Sequence, residues 1–329
     1  MAQLCASQLF WRTESPRVGT ILNRRSKWAA MILSVFGDES ADETMQRVFA
    51  ISGVVGSERE WELAVKAWTE RTRGREFHAK ECETEYAYDP DRTKHKENLA
   101  LYKDLTQILA KSYLAGVCIA LDLTSRREVF GDALADMEYY KCLADVLNEL
   151  TIMANKFNEQ IASSEHPEDE PVSLEFTFDH RKQSEGNAGT LYSAFINQPE
   201  WADTYLLGTK ISFDCRTNPR IQMADLLARE SMKDLDRSVG EARKPRDSFR
   251  ALKETGKFVF IQRDRAYFQE WHDRMSQLKA ESGMNEQDYV NWLIETGRVQ
   301  DGRVHDNWGN RFQYYVWSDN RKALSRRRN

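Results

Sequence analysis

The chain has 329 residues, 30% of them charged and 41% hydrophobic, a balance that excludes wholesale disorder. No apolar run approaches the ~20 residues of a membrane-spanning helix, so none is expected. The 47 Lys and Arg against 52 Asp and Glu leave a net charge of -5. That excludes a protein that coats nucleic acid through bulk charge, while leaving room for local basic patches. Cys5, Cys82, Cys118, Cys142 and Cys215 are scattered and form no C-x-x-C pair. Their spacing argues against a disulfide scaffold or a structural zinc site and points to a reducing cytoplasm.

Residues 1–30 read as an extension outside the fold. They carry Arg12, Arg17, Arg24, Arg25 and Lys27 against one acid, Glu14. Such a leader is either a transit peptide or the product of an upstream start, with Met31 opening the fold. Residues 31–36 (MILSVF) form an apolar run that ends at Gly37-Asp38-Glu39 and predict a buried strand. Residues 48–55 (VFAISGVV) predict a second, and the short polar turn at 40–46 makes the pair an antiparallel hairpin. Ser57 and Glu60 form a capping box, followed by Trp61, Ala64, Val65 and Trp68 at helical spacing. Residues 74–92 read as loop.

A helix is predicted over 94–110, with Leu101, Leu105, Ile108 and Leu109 on one side. A third strand over 113–121 (YLAGVCIAL) ends at Asp122. A long helix over 133–161 carries the stripe Val146, Leu147, Leu150, Met153, Ala154 and Phe157. Residues 163–171 are an acidic loop. Residues 172–178 (VSLEFTF) alternate cleanly as a fourth strand ending at Asp179. A short helix over 188–197 and a fifth strand over 206–213 follow. Asn218 and Pro219 are an N-cap and a first helical residue, opening a helix through Ile221, Ala224, Leu227 and Ala228. Residues 237–248 read as a basic linker. The stretch 249–329 reads as an appended helical or irregular C-terminal region with a basic tail at 321–329. The core is thus an α/β domain over 31–236, a five-stranded mixed sheet flanked by helices.

Asp38 and Asp179 fall at the ends of predicted strands, and Asp225 lies on the last core helix, three residues after Gln222. Strand ends in such sheets are where ligand sites gather. Carboxylates that converge repel one another unless a cation lies between them. Oxygen-only ligation suits Mg²⁺ or Mn²⁺ rather than zinc, and two such ions can clamp a phosphodiester for attack by water.

The string Phe36-Gly37-Asp38-Glu39-Ser40 is followed by Phe49-x-x-x-Gly53, Trp61, Trp68, Phe77-His78 and Ile221-Gln222-Met223-Ala224-Asp225. Together these resemble the domain-of-unknown-function family numbered 3800, whose pattern is an Asp-Glu-Ser motif near the start and a Gln-x-x-Asp motif near the end. The resemblance covers roughly residues 31–235. It implies an RNase H-like fold with carboxylates on the first strand, the fourth strand and the final core helix. Asp38, Asp179 and Asp225 match those positions. Two departures stand out: Gly37 replaces the usual apolar residue before the first Asp, and Ala41 stands where Gly often follows.

Each candidate has a plainer structural reading beside the functional one. Asp38 is a metal ligand or a turn residue. Glu39 points to the opposite side of a continuing strand and joins the site only if the chain turns there. Asp179 is a ligand or a turn residue, with Asp122 as its rival. An unpaired Asp225 on an apolar helix face would be costly, which favours a ligand. Gln222 orients Asp225, contacts substrate or sits on the helix surface. His78 shuttles a proton to a leaving oxygen or packs its loop. Arg229 touches a phosphate or forms an ion pair.

The expected function is a divalent-metal-dependent nuclease acting on DNA or RNA through Asp38, Glu39, Asp179, Asp225 and His78. One alternative is a non-catalytic component of a defence or mobile-element system that binds nucleic acid, or a protein partner through the C-terminal region. A small-molecule phosphohydrolase using the same ions is the other.

Overall fold

The computed structural model describes residues 32–44, 46–84, 93–130, 138–162, 172–180, 188, 189, 192, 207–240, 243–282, 299–300, 303–305 and 313–315. The expected extension 1–30, the acidic loop 163–171, most of the helix at 188–197 and the basic tail lie outside them.

The apolar runs pair as strands: β1 (Ile32–Ala41), β2 (Val48–Gly56), β3 (Ala115–Asp122), β4 (Ser173–Asp179), β5 (Leu207–Asp214) and β6 (Phe258–Arg263). They form one mixed sheet in the order β5-β4-β1-β2-β3-β6. β1 runs antiparallel to β2 and parallel to β4, so it lies mid-sheet, paired on both sides. A second sheet of three short strands joins Val299–Gln300, Arg303–His305 and Gln313–Tyr315.

The hairpin between β1 and β2 forms as expected. Asp42 closes its turn, accepting from the backbone N–H of Arg47 at 2.9 Å and of Val48 at 3.0 Å. Helix α1 (Glu58–Thr72) opens on the Ser57–Glu60 capping box, and α6 (Pro219–Val239) opens on Asn218. Between them come α2 (Ala79–Thr84), α3 (Thr93–Lys111), α4 (Leu123–Phe130) and α5 (Glu138–Ala162).

Helices cover both faces of the sheet. On one face, Val146, Leu147 and Leu150 of α5 pack onto Val35, Ile51, Val117 and Phe176. On the other, α1, α3 and α6 bury Trp61, Trp68, Leu105, Met223 and Leu227 against Phe36, Val54 and Cys118. Side chains alternate along a strand. Asp38 therefore lies with Phe36 on the α6 face, and Glu39 with Val35 on the α5 face.

The structure corrects four expectations. The sheet has six strands rather than five, because β6, drawn from the region read as appended, pairs in parallel with β3 from Gly116↔Phe258 onward. That partner lies more than a hundred residues away, so no local pattern announces it. β1 does not stop at Asp38 but continues to Ala41, held by β2. The stretch 74–92 contains α2. The linker at 237–248 is also shorter than expected, since α6 extends to Val239 and α7 (Asp247–Lys253) begins eight residues later. Among the described residues no helix is long and apolar enough to cross a membrane.

Candidate functional site

Gly37 explains how Asp38 and Asp179 become neighbours. It pairs with Phe178 across β1 and β4. A Cβ on Gly37 would meet the Phe178 ring at 2.3 Å, a distance no side chain tolerates. The missing side chain at Gly37 therefore makes room for the Phe178 ring at the end of β4. Asp179 follows Phe178 and faces the opposite, α6 side. On β2, Ser52 pairs with Asp38 and donates its hydroxyl to the Ala224 carbonyl at 2.8 Å. That bond ties α6 to the sheet beside Asp225.

Asp38, Asp179 and Asp225 are all buried. The Asp38 carboxyl is held well above its ordinary value, by burial first, then by the charges of Asp225, Asp179 and Glu39. The backbone N–H of Glu39, 2.7 Å from Asp38 Oδ1, pulls the other way and loses. Asp179 and Asp225 are thus close enough to disfavour charge on Asp38 in a poorly solvated place. Among the described residues, however, no three Asp, Glu, His or Cys side chains stand at spacing that would share one ion. Their oxygen-only chemistry and surplus negative charge fit a hard divalent cation; their present spacing does not yet enclose one.

Asp225 has two partners that the sequence did not disclose. Its Oδ2 lies 2.7 Å from His78 Nδ1 and accepts the Ala79 backbone N–H at 2.7 Å. His78 is held because Phe77 before it is buried, with ring centroids 5.5 Å from Trp68 and 5.9 Å from Tyr102. The buried-type residue Phe77 directly before His78 was the available signal. His78 Nε2 points away from Asp225, with Glu81 Oε1 4.0 Å off. Asp179 has its own neighbour, Arg216, whose Nε is 3.7 Å from Oδ2.

The other candidates have structural partners. Gln222 accepts from Trp68 Nε1 at 2.9 Å and donates to the Arg216 carbonyl at 2.8 Å. It steadies the Arg216 loop; no contact with Asp225 accounts for it. Arg229 grips Glu83 through Nε at 2.8 Å and Nη2 at 2.7 Å. Glu83 also binds Arg246, which reaches Glu230 at 3.0 Å, so the expected linker carries part of a buried charge network. Asp122 accepts from the Ser125 N–H at 3.0 Å and caps α4, which leaves it no part in the cluster. Because β1 runs straight through, Glu39 emerges on the α5 face, from where its charge still reaches Asp38.

No family model and no curated protein matches the chain, so the likeness to family 3800 remains one of motifs. Among solved structures, the chain is similar to a chain in "Structure of the PCNA:RNase HII complex from Archaeoglobus fulgidus". The identity is 11% and the TM-score 0.31, covering 86% of this chain and 98% of that one. At that similarity neither fold nor activity carries over.

Proposed function

We propose that this chain is a divalent-metal-dependent phosphodiester hydrolase acting on DNA or RNA, built on an RNase H-like arrangement of β1, β4 and α6. The observation that supports it best is the electrostatic conflict at Asp38. Asp225 and Asp179, from distant parts of the chain, raise the cost of charging Asp38 in a buried place. Burying unpaired charge is expensive, and a cation shared among them removes the cost.

Asp38, Asp179 and Asp225 are the residues to hold Mg²⁺ or Mn²⁺, their side chains rotating to close on it. When bound, such ions supply an acidified water and stabilise charge on a leaving oxygen. The chain's own groups do the rest. Asp225 fixes the His78 ring through Nδ1, leaving Nε2 to hand a proton to the departing oxygen. Ala79 N–H and Ser52 keep Asp225 in place from two sides. Arg216 stands beside Asp179, half-exposed, where it can meet the charge of a phosphate.

The test is cleavage of single- and double-stranded DNA and RNA by purified protein with Mg²⁺ or Mn²⁺. Wild type cuts at least one of them, and Asp38→Asn and Asp225→Asn do not. Equal cutting by all three proteins contradicts the proposal.

A further inference from the structure

A cavity of about 350 Å³ opens next to the aspartates, between the β1–β2 turn, α2 and α6. Four cations line it: Arg47 from the turn, Lys80 from α2, and Arg229 and Lys233 from α6. It adjoins the carboxylate cluster through three short links. Lys80 follows Ala79, whose N–H holds Asp225. Arg229 and Lys233 lie one and two turns beyond Asp225 on the same side of the helix. Asp42, also in the wall, is four residues past Asp38.

The acids in the wall are already engaged or in water. Asp42 accepts the turn's backbone N–H groups. Asp236 is paired with Arg47 at 2.7 Å and Arg243 at 3.2 Å. Glu43 is exposed. These pairs, with Glu83 on Arg229, also fix the guanidinium heads in place. Lys233 differs: it is half-buried and makes no hydrogen bond or ion pair with any described residue. Burial first and then the charge of Arg229 hold its ammonium below the ordinary lysine value, against the opposing pull of the Glu83 and Asp236 carboxylates. A cation so placed gains from an incoming anion.

We propose that this cavity holds a backbone phosphate of a nucleic-acid strand whose scissile phosphodiester lies at the aspartates, with Lys233 as its main contact. This deepens the hydrolase proposal and rests on it. Eight helical residues separate Asp225 from Lys233, about 12 Å along the axis. The held phosphate is therefore a neighbour of the scissile one along the strand, not the scissile phosphate itself.

The test measures binding of labelled single-stranded DNA and RNA oligonucleotides across a salt series, in Mg²⁺, on an Asp38→Asn background that does not turn over. Lys233→Gln weakens binding severalfold and lowers the slope of log K against log salt by about 0.7–0.9, the value of one phosphate contact. Lys233→Arg restores both. Unchanged affinity and slope in Lys233→Gln overturn the site. So does Lys233-dependent binding of inorganic phosphate or polyglutamate when oligonucleotide binding ignores Lys233. The two proposals fail separately. Lys233-dependent strand binding without wild-type turnover keeps the cavity and removes the hydrolase, whereas turnover with Lys233-independent binding does the reverse.

Discussion

The two faces of the central sheet are built from the same strands and differ in what they bury. Under α5 the filling is aliphatic and aromatic: Val146, Leu147 and Leu150 on Val35, Ile51 and Phe176. Charge is sparse on that side: Asp145 of α5 sits beside Arg263 at 3.1 Å, and Glu39 of β1 is buried there too. Under α6, Asp38, Ser52, Gln222, Asp225, Arg229 and Glu230 are buried as well. An apolar face costs nothing to desolvate, while a buried carboxylate costs several kcal/mol unless paired. The α5 face therefore holds the sheet together, and the α6 face spends part of that stability on a polar site.

That contrast can be broken in a definite order. Asp225→Asn, nearly isosteric, should abolish metal-dependent cleavage, assayed per folded molecule. Leu150→Ala on the opposite face should leave cleavage intact and cost about 2–5 kcal/mol, read from denaturant midpoints. His78→Ala should slow turnover by about 100-fold or more through loss of a proton donor. It should also cost about 1–3 kcal/mol by leaving Asp225 with one donor fewer. Asp38→Asn should go the other way in stability. With ions chelated it removes the repulsion and raises Tm by about 2–4 °C for each ~1 kcal/mol relieved.

The smallest effect is at the hairpin. The Asp42 carboxyl lies below its ordinary value: burial raises it, but the N–H groups of Val48, Arg47 and Gln46 and the Thr44 hydroxyl together outweigh that. A depressed carboxylate stabilises the fold above the unfolded value of 3.8 and ceases to as pH falls through the lower folded value. Asp42→Ala should thus cost about 1 kcal/mol at neutral pH, with the gap to wild type closing below about pH 4 in urea titrations.

Features written in short stretches were legible in the sequence. The hairpin, the Ser57 capping box, the Asn218-Pro219 helix start and the α5 stripe all follow from local spacing. The candidates Asp38, Asp179 and Asp225 were drawn from the same kind of spacing, since each ends or interrupts an apolar run. Features set by contacts between distant segments were not. β6 looks like any short aromatic run until β3 is beside it. Gly37 looked like a departure until Phe178 filled its space. Arg229 gave no sign of its Glu83 partner, 146 residues away. Lys233 lies in a helix read as core, and only the folded turn of Asp42 and Arg47 makes a cavity of its surroundings.

The most direct measurement is Mn²⁺ uptake by the wild type, Asp38→Asn and Asp225→Asn, followed by calorimetry and by the paramagnetic signal of the ion. The electrostatic account predicts saturable binding to wild type that raises its Tm, with each substitution sharply weakening both. No uptake by wild type, or equal uptake by all three proteins, would mean that the aspartates tolerate one another without a metal, and the hydrolase would fall with it.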